Sequence, residues 1–341
     1  MRRPGDAERP GYEDCTGCRV CVLPCPVWRQ THDVTLTLAG RAKALQRGIP
    51  VEALAASLEA CVLCGACESV CPVDIDTVGM TLDLRAQLAE AGRSALAEAA
   101  ARMPLPAVDP TSSLAPARNT VAPTVTAALT WLLPGRALRA DPDLLGRAVH
   151  VLEGEGVRIA EDDGGDLGIS LEAGLPLEEQ RLARFLRPLK GARELIMGEG
   201  LLHRPLRKWL PGVRVIGLGE ALLRLATARG ALRATDLYVI ETRGFHAEFA
   251  RLVRLYDSLR QTVGCAMNLD LQRAAIPTGA ASLQSLLGRG SFDIAAQVRW
   301  IAEGRRVERV VIEDPADRAA FASTMELPVV HLAELALAGP R

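Results

Sequence analysis

Eight of the nine cysteines fall between residues 15 and 71, and Cys265 stands alone. They form two runs, "CTGCRVCVLPCP" at 15–26 and "CVLCGACESVCP" at 61–72, each reading C-x2-C-x2-C-x3-C-P. That is the spacing of bacterial [4Fe–4S] proteins, in which the fourth cysteine of a run ligates the other cluster. Reach explains it. Three thiolates two residues apart wrap one loop around three irons of a cube, and the fourth iron faces a more distant segment. The spacing therefore predicts two [4Fe–4S] clusters, one on Cys15, Cys18, Cys21 and Cys71 and the other on Cys61, Cys64, Cys67 and Cys25. Pro26 and Pro72 turn the chain after each fourth thiol, because the residue before a proline avoids the helical region. Gly17, Gly65 and the small Ala66 let backbone N–H groups approach the sulfurs, while Thr16, Val62, Leu63 and Val70 supply bulk that excludes water. Zinc is the competing metal, but it favours separated C-x2-C pairs or added histidines.

Helical elements must position these thiols. Thirty-five residues separate Cys25 from Cys61. Within them "TLAGRAKALQRGI" and "VEALAASLEA" carry Leu and Ala at helical spacing, so the spacer reads as a helical insertion between two metal-binding loops. Beyond this first domain (1–98), "ARMPLPAVDPTSSLAPARNTVAPTVT" lacks a periodic apolar face and predicts a linker over 99–125. From 126 to 341 short apolar strands alternate with amphipathic helices, the pattern of α/β units around a parallel sheet. A strand–helix–strand–helix order over 192–223 recurs over 307–337. Each copy follows a helix-and-strand unit, at 141–163 and 246–271. Two similar halves, about 127–225 and 236–337, are expected from this repeat.

Composition narrows the function classes. With 40 basic and 41 acidic residues the net charge is −1, without the basic excess of a phosphate-binding protein. Aromatic content is 4%, too low for base-stacking platforms, so no nucleic-acid partner is expected. No apolar run reaches the length of a transmembrane helix. The N-terminal "MRRPGDAERPGYED" has no apolar signal core. The cytoplasm, where thiols stay reduced, is the expected location, with attachment to the inner membrane only through a partner.

Residues 13–90 resemble the cluster domains of the iron-sulfur subunits of two enzymes, glycolate oxidase and anaerobic glycerol-3-phosphate dehydrogenase. "CVLPCPVWRQ" is similar to the first of their motifs and "LEACVLCGACESVCPVDID" to the second. "LAGRAKALQRG" sits where they carry a Pro-Arg-Gly-Arg helix start, here replaced by Ala39-Gly40-Arg41. The resemblance implies an α-helical ferredoxin domain of the kind shared with succinate dehydrogenase and heterodisulfide reductase. It also implies that the α/β part is a duplicated Cys-Cys-Gly domain whose metal cysteines are lost. "ISLEAGLP" (169–176) and "AIPTGAAS" (275–282) stand where Cys-Cys-Gly is expected, and "MGEG" (197–200) and "EDPA" (313–316) where Cys-Pro-x-Cys is expected. The implied role is a non-catalytic electron-transfer subunit of an oxidoreductase complex. It would link an FAD-bearing flavoprotein to an acceptor such as quinone or a membrane subunit. A reading of another class stays open: a scaffold or assembly protein with structural clusters, whose α/β domain binds a partner.

Other signals are weak. One thiol cannot hold a cluster, and Cys265 in "TVGCAMNLDL" reads as a buried small hydrophobe. The five histidines (32, 150, 203, 246 and 331) are isolated, with His331 at a strand end. "GLGEAL" (217–222) lacks the full dinucleotide fingerprint. "EDDGGD" (161–166) reads as a solvated acidic loop rather than a calcium site, and "RPLRKWL" (204–210) as an exposed basic helical face. No catalytic residue is assigned.

Overall fold

In the N-terminal part, capping residues and close backbone approaches start the helices where the cysteine loops leave off. The computed structural model describes residues 10–103, 129–270, 273–289 and 292–338. The first of these segments is helical, with helices Pro26–Thr31, Leu38–Gln46, Ala55–Ala60, Ala66–Ser69, Thr77–Glu90 and Ala95–Ala101. Thr37, Asp76 and Ser94 cap three of them by accepting a hydrogen bond from the amide three residues on. Gly40 is required by contact, since a Cβ there would collide with the carbonyl oxygen of Val34. The Thr77–Glu90 helix buries Thr77, Thr81, Leu84, Arg85 and Leu88, a stripe at helical spacing. Leu84 and Leu88 pack on Leu54 and Leu58. The stripe therefore carries a guanidinium among apolar side chains. The linker expected from residue 99 begins later, because the Ala95–Ala101 helix continues through that point and buries Ala100. Most of that stretch, 104–128, lies outside the described residues.

The rest is α/β. Ten strands are described: β1 Leu129–Leu133, β2 Val157–Ile159, β3 Ala192–Met197, β4 Arg214–Gly217, β5 Asp236–Val239, β6 Ala266–Met267, β7 Leu269–Asp270, β8 Ala274–Ala275, β9 Arg309–Ile312 and β10 Val329–His331. One four-stranded parallel sheet has the order β2-β1-β3-β4 and the other β10-β9-β5-β6. Counted in chain order within each sheet, both place the second strand outside the first and the third and fourth on its other side. Strands β7 and β8 form a short antiparallel pair.

The two sheets share one core. Leu132, Ile196 and Ile216 of the first pack with Tyr238 and Val311 of the second, together with helices Pro142–Glu153 and Leu332–Ala338. Each sheet buries its opposite face separately, around Phe185 in one and Phe321 in the other. Parallel sheets covered on both faces are the stable form of this architecture. The helical region docks where Leu96 and Ala100 meet Ile169, Ala173 and Leu283. Gly174 permits that approach, at φ +80° and with the Arg85 backbone occupying the place where its Cβ would stand. No helix among the described residues is long and apolar enough to cross a membrane.

Candidate metal centre

Both cysteine loops use the same backbone device. Gly17 (φ 78°) and Arg19 (φ 62°) flank Cys18 in the left-handed region, as Leu63 (φ 53°) and Gly65 (φ 78°) flank Cys64. Alternation of right- and left-handed residues turns successive N–H groups into one concavity, a nest suited to anions and iron–sulfur groups. The fourth thiols also match: Cys25 N–H donates to Val22 O and Cys71 N–H to Glu68 O, each at 3.1 Å. Cys25 then caps the Pro26–Thr31 helix, with Pro26 in its first turn.

The runs do not keep their fourth thiols to themselves. Cys25, Cys61, Cys64 and Cys67 together line a pocket of about 470 Å³, partly open to solvent, with Leu38, Arg41 and Val78 among its walls. On the other side burial pushes the Cys21 thiol up to about 12, and Cys15, Cys25, Cys18 and Cys71 add to that rise. Cys71 and Cys25 thus both lie close enough to Cys21 to act on its thiol. Burial likewise raises Cys64 to about 12 and Cys67 well above the usual thiol range. Thiols held so high keep their protons at neutral pH, so metal binding must expel them. Among the described residues no three His, Cys, Asp or Glu side chains close on a single ion. The thiols ring a pocket instead.

The charges around the donor set decide whether a cluster fits it. Arg41 is 2% exposed and lines the pocket; its guanidinium donates to Ser57 O (2.8 Å), Ser57 Oγ (3.2 Å) and Thr81 Oγ1 (3.5 Å), and its Nε has no partner. Arg85 is 1% exposed and donates only to carbonyls, among them Cys61 O at 2.6 Å and Leu58 O at 2.8 Å. Neither forms an ion pair among the described residues. Glu172 favours the charge of Arg85 without an ion-pair contact, and a buried cation without a close counter-charge is costly. An anionic, thiolate-bound iron–sulfur group in this pocket supplies that charge, so the residues fit it.

The α/β part holds the second loop from behind. Arg243 is buried, paired with Glu172 at 2.8 Å, and donates to Val62 O at 3.2 Å. His246 donates from Nδ1 to Cys64 O at 2.7 Å, because its Nε2 accepts the Ala275 N–H at 3.1 Å. Burial lowers the His246 pKa to about 4, which keeps the ring neutral. Arg204 reaches Glu68 at 2.7 Å and Asp76 at 3.0 Å. Three carbonyls of the loop, at Cys61, Val62 and Cys64, are thus held by Arg85, Arg243 and His246. In the first loop the Cys15 carbonyl is held by exposed side chains, Lys43 Nζ and Gln46 Nε2 at 2.9 and 3.0 Å, and Cys18 is exposed.

Residues 11–75 match the family model for a 4Fe-4S dicluster domain. The region carrying both loops is therefore a [4Fe–4S]-binding region. No curated protein matches the chain.

Sequence reasoning missed Arg41, Arg85, Arg243 and His246. For Arg41 and Arg85 a signal existed, a charge on the buried stripe of a helix. For Arg243 and His246 there was none, since they meet the loop from far along the chain. "RPLRKWL" is corrected in part: Arg207 is half exposed, but Arg204 is an interdomain anchor. The "EDDGGD" loop is not simply solvated, because Arg181 bridges Asp162 and Asp166. Cys265 is 2% exposed within the shared core. His331, at the end of β10, bonds Glu313 O and the Ala333 N–H.

The four stretches named for absent cysteines gather around Arg243. Glu172 pairs with it, Glu199 favours its charge, and Asp314 and Thr278 line a second pocket with it. Asp314 and Asp317 lie there too, their carboxyls raised first by burial and, for Asp317, by its neighbour, so the pair retains a proton. Carboxylates and a hydroxyl thus gather at this interface, and Glu172 acts on the second loop through Arg243.

Proposed function

We propose that the chain is an electron-transfer subunit with two [4Fe–4S] clusters, one on Cys15, Cys18, Cys21 and Cys71 and one on Cys25, Cys61, Cys64 and Cys67. The observation that carries this reading is the single pocket walled by Cys25 of the first run and three thiols of the second. When bound, such clusters accept and release one electron each. The protein's own residues hold the loops, exclude water and offer amides to the sulfurs, and such hydrogen bonding sets potential. A flavoprotein with bound FAD is the proposed donor, oxidising a small substrate such as a 2-hydroxy acid, glycerol phosphate or an amine. Quinone, reached directly or through a membrane subunit, is the proposed acceptor. The α/β part acts as the brace of the second loop, an electron-transfer scaffold without substrate chemistry.

The test is anaerobic purification of the full chain with its copurifying proteins. The reading predicts about eight irons per chain, coupled [4Fe–4S]⁺ EPR signals on reduction, and a flavoprotein whose turnover reduces them. Clusters that stay oxidised during that turnover would instead make the chain a scaffold.

A further inference from the structure

We propose that Arg41 and Arg85 are fixed counter-charges that make the pocket of Cys25, Cys61, Cys64 and Cys67 the first of the two sites to take up an electron. This rests on the two-cluster reading and adds an order to it.

Charge is out of balance around this pocket. Arg41 and Arg85 are buried cations on two different helices, Leu38–Gln46 and Thr77–Glu90. Arg41 lines the pocket and keeps an unpartnered buried Nε, and Arg85 donates to the carbonyl of Cys61, a pocket cysteine. Among the described residues neither has a carboxylate in ion-pair contact. Arg243, the third guanidinium, spends its charge on Glu172. Glu68, next in sequence to Cys67, and Asp76 are both held by Arg204, and Glu68 also accepts from Thr77 and Val78. Arg41 and Arg85 are therefore the buried guanidiniums at this pocket with no carboxylate in contact among the described residues.

Adding one electron makes the site more negative by one unit, and a fixed cation stabilises that change. At an effective dielectric of about 20 the attraction is roughly fourfold stronger than in water. Among the described residues the first loop has no such groups. Arg19, Lys43, Glu13 and Asp14 near it are exposed or half-exposed, so water and salt screen them. Water around the exposed Cys18 does favour the reduced state there. It is a reorienting dipole, however, whereas the guanidiniums are locked by hydrogen bonds to Ser57, Thr81, Leu58 and Cys61. In the complex the electron comes from a reduced flavin; in the experiment dithionite supplies it.

The test is an EPR-monitored redox titration of the full chain, with iron counted on the same sample. Two one-electron waves are expected. Arg41→Gln should weaken reduction in the upper wave about tenfold, equivalent to 59 mV for one electron. It should leave the lower wave in place, and Arg41→Lys should restore the upper one. Lys43→Gln, whose side chain reaches the first loop from the Leu38–Gln46 helix, should move the upper wave less than about twofold. The unaltered protein gives an independent check, because raising the salt should shift the lower wave more than the upper. A single merged wave from eight irons, movement of the lower wave in Arg41→Gln, or a salt-sensitive upper wave would overturn the proposal. Iron well below eight in the unaltered protein would instead remove the two-cluster reading beneath it.

Discussion

Gly17 and Leu63 hold the same place in two loops of matching backbone. Gly17 lies against the aliphatic chain of Lys43, whereas Leu63 is 2% exposed. The contrast extends outward. The first loop is tied by two surface side chains to its own helical region. The second is gripped by Arg85 of that region and by Arg243 and His246 of the α/β part. Matching nests can therefore be built from short local sequence, while their electrical surroundings are set by segments that arrive from elsewhere in the fold. The α/β part meets the second loop through Arg243 and His246, and carboxylates stand in the stretches where the resemblance led us to expect thiols.

The sharpest way to break this contrast is to cut the brace. Arg243→Ala leaves Glu172 buried and unpaired, which should cost about 3–5 kcal/mol. Differential scanning calorimetry should show a clear fall in Tm. Iron should be lost from the second loop while the signal of the first persists; equal loss from both would mean that the loops are not separately supported. Gly174→Ala forces a Cβ into the Arg85 backbone at positive φ, and a loss of about 2–3 kcal/mol in chemical unfolding is expected. Unchanged stability there would mean that the two parts do not press together at this point.

Acid offers a milder probe of the same side. His246 is lowered to about 4 from 6.5, so between those values the unfolded chain binds more protons than the folded one. Stability therefore rises with pH through that window and is lost as pH falls toward 4. The full contribution is about 3 kcal/mol. His246→Gln should flatten the profile of Tm against pH by that share. A profile as steep as before would remove His246 from the brace. The smallest effect belongs to the first loop. Lys43→Ala removes one exposed hydrogen bond to Cys15 O, worth about 0.5–1 kcal/mol, and a loss above about 2 kcal/mol would show that this loop is braced as firmly as its counterpart.

Sequence spacing made much of this legible. The C-x2-C-x2-C-x3-C-P runs carry their own geometry, because Gly17, Gly65 and the two prolines act within a few residues. Helical spacing around Leu38 and Leu58 was equally local, and so was the strand–helix alternation from Ala192 to Leu337. What could not be read was the company each loop keeps. Arg85 reads in the sequence as one charge among others, and its contact with Cys61 O depends on how its helix packs. His246 stands 182 positions from the Cys64 whose carbonyl it holds, and no periodicity links them. The relative electrostatics of two alike loops depend on such contacts.

Exchange of the fourth thiols is the claim on which the rest depends, and Cys25→Ser tests it most directly. The anaerobically reduced variant should lose or alter the EPR signal of the cluster on Cys61, Cys64 and Cys67 and keep the other. Loss of the cluster on Cys15, Cys18 and Cys21, with the second left intact, would contradict the account.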